Sequence, residues 1–153
     1  MIISFISYPY LEIGLIAVLL FLSALISGSE VAFFSLKPTD ISSLEEDSKS
    51  SSLNVLKLLR EPNYKDGPRH LLATILVLNN LINVAIVLIA TVTAQQIFPV
   101  DPNNPWIVIG IHVAGVTLLL VLFGEVIPKL FATSHNVLVA KFMSRTLLIC
   151  KKI

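Results

Sequence analysis

Three stretches of this chain are too long and too poor in charge to fold against water. Leu71 to Phe98 and Pro102 to Gly124 contain no Asp, Glu, Lys or Arg, and Leu11 to Leu36 holds only Glu12 and Glu30. A membrane-crossing helix needs roughly 20 apolar residues, so each stretch is long enough to span a bilayer. At 153 residues, 55% apolar against 14% charged is more apolar surface than one soluble core absorbs. The expected fold is therefore an all-α membrane protein of one domain, 1–153, with spans at about 11–36, 71–98 and 106–128 and the lipid bilayer as its main partner.

Two further helical regions are expected outside the spans. Residues 37–69 carry a charged, Ser-rich middle (Glu45, Glu46, Asp47, Ser48, Ser50 to Ser52), which reads as a solvated helical hairpin. Thr39 or Asp40 is the expected cap of its first helix, and Leu53, Leu56 and Leu59 form the apolar repeat of its second, up to Pro62. Asn63 to Pro68 reads as a turn, and Pro99, Pro102, Asn103, Asn104 and Pro105 as a tight loop before the interfacial anchor Trp106. At 136–153, Lys141, Arg145, Lys151 and Lys152 punctuate an apolar sequence at helical intervals, which suits a juxtamembrane helix in the interface; a fourth span is the alternative.

A net charge of +1 argues against a nucleic-acid partner, but its distribution sets an orientation. Lys37, Lys49, Lys57, Arg60, Lys65 and Arg69 all fall in the 37–69 connection, whereas no Lys or Arg precedes the first span or lies between Phe98 and Trp106. The positive-inside rule then puts the N-terminus outside and the hairpin and tail in the cytoplasm. Residues 1–30 lack the basic start of a signal peptide. Cys150 stands alone, so no internal disulfide is available. No internal repeat is visible and three spans rarely enclose a pathway, so dimerisation is expected, with Ala24 and Gly28 permitting close helix approach.

The spans carry polar residues that hydrocarbon does not solvate. Ser23 and Ser27, four apart, put two hydroxyls on one face of the first helix. Each is an oxygen ligand, or else donates back to its own i−4 carbonyl. Asn79, Asn80 and Asn83 lie in the uncharged second span, where an unpaired amide costs several kcal/mol, so they face protein, water or an ion, or join helices. In the third span Pro128 lacks an N–H, which leaves the Gly124 carbonyl without its i+4 donor, and Glu125 sets a carboxylate beside it. All these donors are oxygens, which suits Mg²⁺, Ca²⁺ or Na⁺ rather than zinc or copper. His112, alone on the third span, reads as a packing residue.

In order along the chain, Leu22-Ser-Ala-Leu-Ile-Ser-Gly-Ser-Glu30, Leu78-Asn-Asn-Leu-Ile-Asn83 and Phe123-Gly-Glu-Val-Ile-Pro-Lys129 resemble the cyclin M/CorC membrane domain. The resemblance implies a Mg²⁺ transporter core of the bacterial inner membrane, usually regarded as a Na⁺-coupled exporter and a homodimer of three-span subunits. By position it implies an ion held by the hydroxyls of Ser23 and Ser27, an amide among Asn80 and Asn83, and the carbonyl of Gly124. Glu125 would supply negative potential or Na⁺ coupling. It also implies a downstream pair of CBS modules that bind ATP and regulate the membrane part; none is present here. The doublet Asn79-Asn80 departs from forms with Gly or another residue before the first asparagine.

The mechanism expected is alternating access about Gly28, Gly124 and Pro128. The alternative is a membrane scaffold, sensor or accessory protein of the gliding or secretion type, in which the polar residues serve helix packing. No His-Glu-x-x-His, Ser/His dyad or paired intramembrane Asp points to an enzyme.

Overall fold

A computed structural model describes residues 9–60, 67–98 and 105–150. The described residues form α1 (Pro9–Phe34), α2 (Pro38–Glu46), α3 (Ser50–Leu59), α4 (Gly67–Ile97), α5 (Pro105–Leu119), a π-helical turn (Leu120–Val126), α6 (Ile127–Ser134) and α7 (Asn136–Cys150). Three helical stretches are long and apolar enough to cross a membrane: Tyr10–Phe34, Pro68–Ile97 and Trp106–Ser134. This is the all-α membrane architecture expected. Most of the turn read at Asn63 to Pro68 and of the loop at Pro99 to Pro105, and Lys151 and Lys152, lie outside the described residues.

α1 is the central element. It packs on α4 along its length, on the π turn and α6, and on α7 at its lower end. The continuous core lies at that end, where Ile26, Ala32 and Phe33 of α1 meet Leu71 and Ile75 of α4, Leu44, Val55 and Leu58 of the hairpin, Ala132 of α6, and Val139, Ala140, Met143 and Leu147 of α7. The opposite end has little interior, chiefly Ile86, Ala90 and Thr93 on α4. Only 11% of the third span's most apolar window is buried, so its outer half presents Ile107, Ile111 and Leu118 to lipid or to another protein.

The hairpin differs from the sequence reading in two details. α2 begins at Pro38, ahead of Thr39 and Asp40, because a proline at the first helical position needs no amide partner there. Asp40 instead reaches back, and its carboxylate accepts the Lys37 amide at 2.8 Å. On α3 the buried stripe is Ser52, Val55 and Leu58, one residue ahead of the leucine repeat, and Leu53 is exposed. A polar contact sets this rotation: Ser52 donates to the Asp47 carboxylate at 2.8 Å, which Lys141 of α7 also holds at 2.8 Å.

α7 lies against α1 and α3, on the hairpin side. Val139, Ala140, Met143, Ser144 and Leu147 form its buried face, and Leu138, Phe142 and Ile149 are exposed. Its first residue, Asn136, ties three elements together, donating to the Ser35 carbonyl at 3.2 Å and to the Asp40 carboxylate at 3.3 Å. Gly28, read as a site of close approach between subunits, is occupied within the chain. A methyl group there would meet the Pro128 carbonyl oxygen at 3.4 Å and Ala132 Cβ at 3.8 Å.

Candidate functional site: an oxygen cluster at the π turn

The polar residues of the three spans converge where α1, α4 and the π turn meet. Ser23 is fully buried, and its hydroxyl lies 2.7 Å from Asn83 Oδ1 and 3.3 Å from Asn79 Oδ1. Asn83 Nδ2 donates to Glu125 Oε1 at 3.1 Å, which fixes the amide so that its carbonyl oxygen points at Ser23. Two carbonyl oxygens and a hydroxyl oxygen therefore crowd together with one hydroxyl proton between them. Such a convergence suits a hard cation, whose charge satisfies several oxygen lone pairs at once.

The hydroxyls separate the site from ordinary helix packing. A buried serine or threonine in a membrane helix usually donates to its own i−4 carbonyl. The buried Ser29 and Ser144 bond their own helix in the related i−3 form, at 2.6 and 2.8 Å, and the less buried Thr74, Thr91 and Thr133 donate to their i−4 carbonyls at 2.7–2.9 Å. Ser23 instead donates across to α4, and the buried Ser27 hydroxyl has no hydrogen-bond partner. A buried hydroxyl left unsatisfied costs about 1–3 kcal/mol, and such an orphan one helical turn from Ser23 fits an ion site.

The π turn delivers the third wall. The Ile127 amide bonds the Leu122 carbonyl, five residues back, so the span runs one residue out of α-register before α6 begins. Pro128 follows as the second residue of α6, and because the helical stretch runs on without a break it has no N–H to offer the carbonyls one turn behind it. The hinge expected at Pro128 is thus preceded by a change of helix type over Leu120–Val126. Gly124, buried in that turn, lies so close to α1 that a Cβ would stand 3.2 Å from Ser23 Oγ. Only glycine lets the backbone of the third span approach that hydroxyl without displacing it.

The expected ligand residues divide into two groups. Ser23, Asn83, Gly124 and Glu125 meet at the junction, Ser27 is buried one turn along α1 from Ser23, and Asn79, which spacing alone did not favour over Asn80, joins them through Ser23. Asn80 is exposed and lines a separate groove of about 380 Å³ with Asn83, Val84, Val87, Thr117 and Leu120. Asn83 forms the partition between the two. His112 lies away from the cluster, its ring 5.9 Å from that of Phe98, as a packing residue would.

Residues 14–153 match the family described as the cyclin M transmembrane N-terminal domain (CNNM). The chain belongs to this family. It is also 31% identical over 133 residues to a UPF0053 protein of Haemophilus influenzae, a match that takes in 87% of this chain and 29% of that protein. The chain thus spans under a third of the length of the curated relative it matches. The cyclin M match takes in the first span from Gly14 onward, the other two spans, the hairpin and α7, so every residue of the oxygen cluster falls within the family's membrane domain.

Proposed function

We propose that the oxygen cluster is the ion site of a divalent-cation transporter, with Mg²⁺ as the cargo and Na⁺ as the coupling ion for efflux. The observation that carries this reading is the buried, unpartnered Ser27 hydroxyl one turn from the Ser23, Asn79 and Asn83 oxygens. Neutral oxygens with a single carboxylate, Glu125, would hold a largely dehydrated Mg²⁺ weakly enough to release it. Access would alternate through movement of α6 against α1 at the Gly28–Pro128 contact and within the π turn. The working unit would be a homodimer, the sparsely buried third span being the surface with most to gain from a partner. Regulation would come from an ATP-binding CBS module in a longer polypeptide, and the N-terminus would face outside at a bacterial inner membrane.

A scaffold or accessory role has one observation in its favour: Ser23, Asn83 and Glu125 already bond one another into a chain that joins the three spans without an ion. Thermal unfolding of the purified domain in detergent separates the readings. A ligand that binds only the folded state at ten times its Kd adds about 1.4 kcal/mol, a shift of a few degrees. Mg²⁺ is expected to give this shift and Na⁺ or Ca²⁺ a smaller one. Ser27→Ala removes an unsatisfied hydroxyl, so it is expected to leave stability without Mg²⁺ unchanged or slightly higher while abolishing the shift. Asn83→Ala is expected to abolish the shift and to lower stability in every buffer. No Mg²⁺ shift in the unmodified domain, or an undiminished one in Ser27→Ala, would overturn the ion-site reading.

A further inference from the structure

Below the cluster, towards the hairpin and α7, α1 carries one more polar side chain on the same stripe. Ser23, Ser27 and Glu30 are spaced four and three apart, so Glu30 follows directly beneath Ser27, about 4.5 Å further along the axis. The two buried hydroxyls without a partner among the described residues are Ser27 and Ser35, one on each side of Glu30 along the chain. Glu30 and Ser35 both line a cavity of about 420 Å³ at the hairpin end of α1, with Val31, Phe34 and Leu72. The Glu30 carboxylate is held at 3.2 Å by the ammonium of Lys129, which directly follows Pro128, the residue that packs on Gly28. These two side chains are 26% and 37% exposed, so neither is shut inside the bundle, and Glu30 is the one that lines the cavity.

We propose that Glu30 is a second station for a hydrated divalent cation on its way between the Ser23 cluster and the hairpin-side cavity, and that the Lys129 ammonium occupies it when the ion does not. The inference rests on the reading of the Ser23 cluster as an ion site. Exchange of ammonium for cation keeps the carboxylate neutralised at every stage, which matters beside a low-dielectric bundle where a bare charge is costly. Lysine suits the role because its charge sits on a flexible four-carbon stem and can swing into the cavity without moving the backbone. While the pair is closed it fastens α6 to α1 below Ser27 and seals the cluster from that side.

The test uses the full chain in detergent micelles with Cys150→Ser and a reporter thiol from Ser27→Cys, read by the rate of reaction with a neutral, water-soluble maleimide. Reaction is expected to be slow in this background, at least tenfold faster when Lys129→Gln or Glu30→Gln is added, and slow again with the exchanged pair Glu30→Lys and Lys129→Glu. Millimolar Mg²⁺ is expected to slow the reaction with Lys129→Gln, where the carboxylate is free to take the ion, and not with Glu30→Gln and Lys129→Gln combined. Equal rates with and without the pair, or Mg²⁺ protection that persists without Glu30, would overturn the proposal. Thiol labelling requires no transport and no intact Ser27 ligand, so failure here is distinct from failure of the Mg²⁺-dependent stability of the unmodified domain.

Discussion

Gly124 shows how one residue's missing side chain shapes the site. Replacing glycine with alanine in a helix interior gains about 0.4–1 kcal/mol from the unfolded chain, whereas forcing an extra methyl into a packed contact costs about 1–3 kcal/mol. At Gly124 the new Cβ would stand 3.2 Å from a Ser23 hydroxyl already committed to Asn83, so the second effect wins. Gly124→Ala is expected to lose about 1 kcal/mol and the Mg²⁺ shift together, while Gly14→Ala, with nothing within 4 Å, is expected to be neutral or slightly stabilising; paired thermal melts check both. Serine and glycine positions of this kind were legible in the sequence because hydrocarbon gives polar groups few partners. The choice between Asn79 and Asn80 was not, because both stack on Asn83 at helical spacing and only the rotation of α4 against α1 decides which turns inward.

At the scale of elements, α7 is attached to the hairpin by charge as much as by apolar packing. The Lys141 ammonium, together with Ser52 and the Lys49 amide, holds the Asp47 carboxyl down to about 2, well below its ordinary value of 3.8. A depressed carboxylate contributes stability that is fully present above its unfolded pKa and is lost as pH falls through the folded value. The contact between α3 and α7 is therefore expected to hold at neutral pH and to weaken between about pH 4 and pH 2. Hydrogen exchange in α7 should rise over that range, and Asp47→Asn should raise it already at pH 7; exchange that stays flat in both would show that apolar packing alone holds the helix. The sequence marked α7 as an interfacial helix through its spaced lysines. It gave no sign of which acid would pair with Lys141, since Glu45, Glu46 and Asp47 are adjacent and the turn between α2 and α3 selects among them.

For the molecule as a whole, the absence of charge that made the three spans legible also hid their packing. Helices apolar on every side have no amphipathic face to mark an inside, so neither the central place of α1 nor the sparse burial of the third span could be read from periodicity. Orientation is different, because it depends on loop charge. With Lys37, Lys49, Lys57 and Arg60 grouped around the hairpin, the positive-inside rule supports the proposal that this end faces the cytoplasm. In a Cys150→Ser background, Leu11→Cys is expected to react with an impermeant maleimide on intact cells and Lys49→Cys only after permeabilisation; the opposite pattern would invert the direction in which the proposed path runs.

The π turn also sets the phase of the lower half of the third span. From Leu120 to Ala132 a straight α-helix would turn its side chains about 120° out of line, enough to carry Ala132 off the face that Leu120 presents. One extra residue in the turn takes back about 100° of that drift, and both residues are buried. The same residues wound as plain α-helix would swing Pro128 and Ala132 towards lipid and leave Gly28 facing a gap, whereas deleting one apolar residue from Leu120–Val126 would let the turn relax to α-helix with that phase kept.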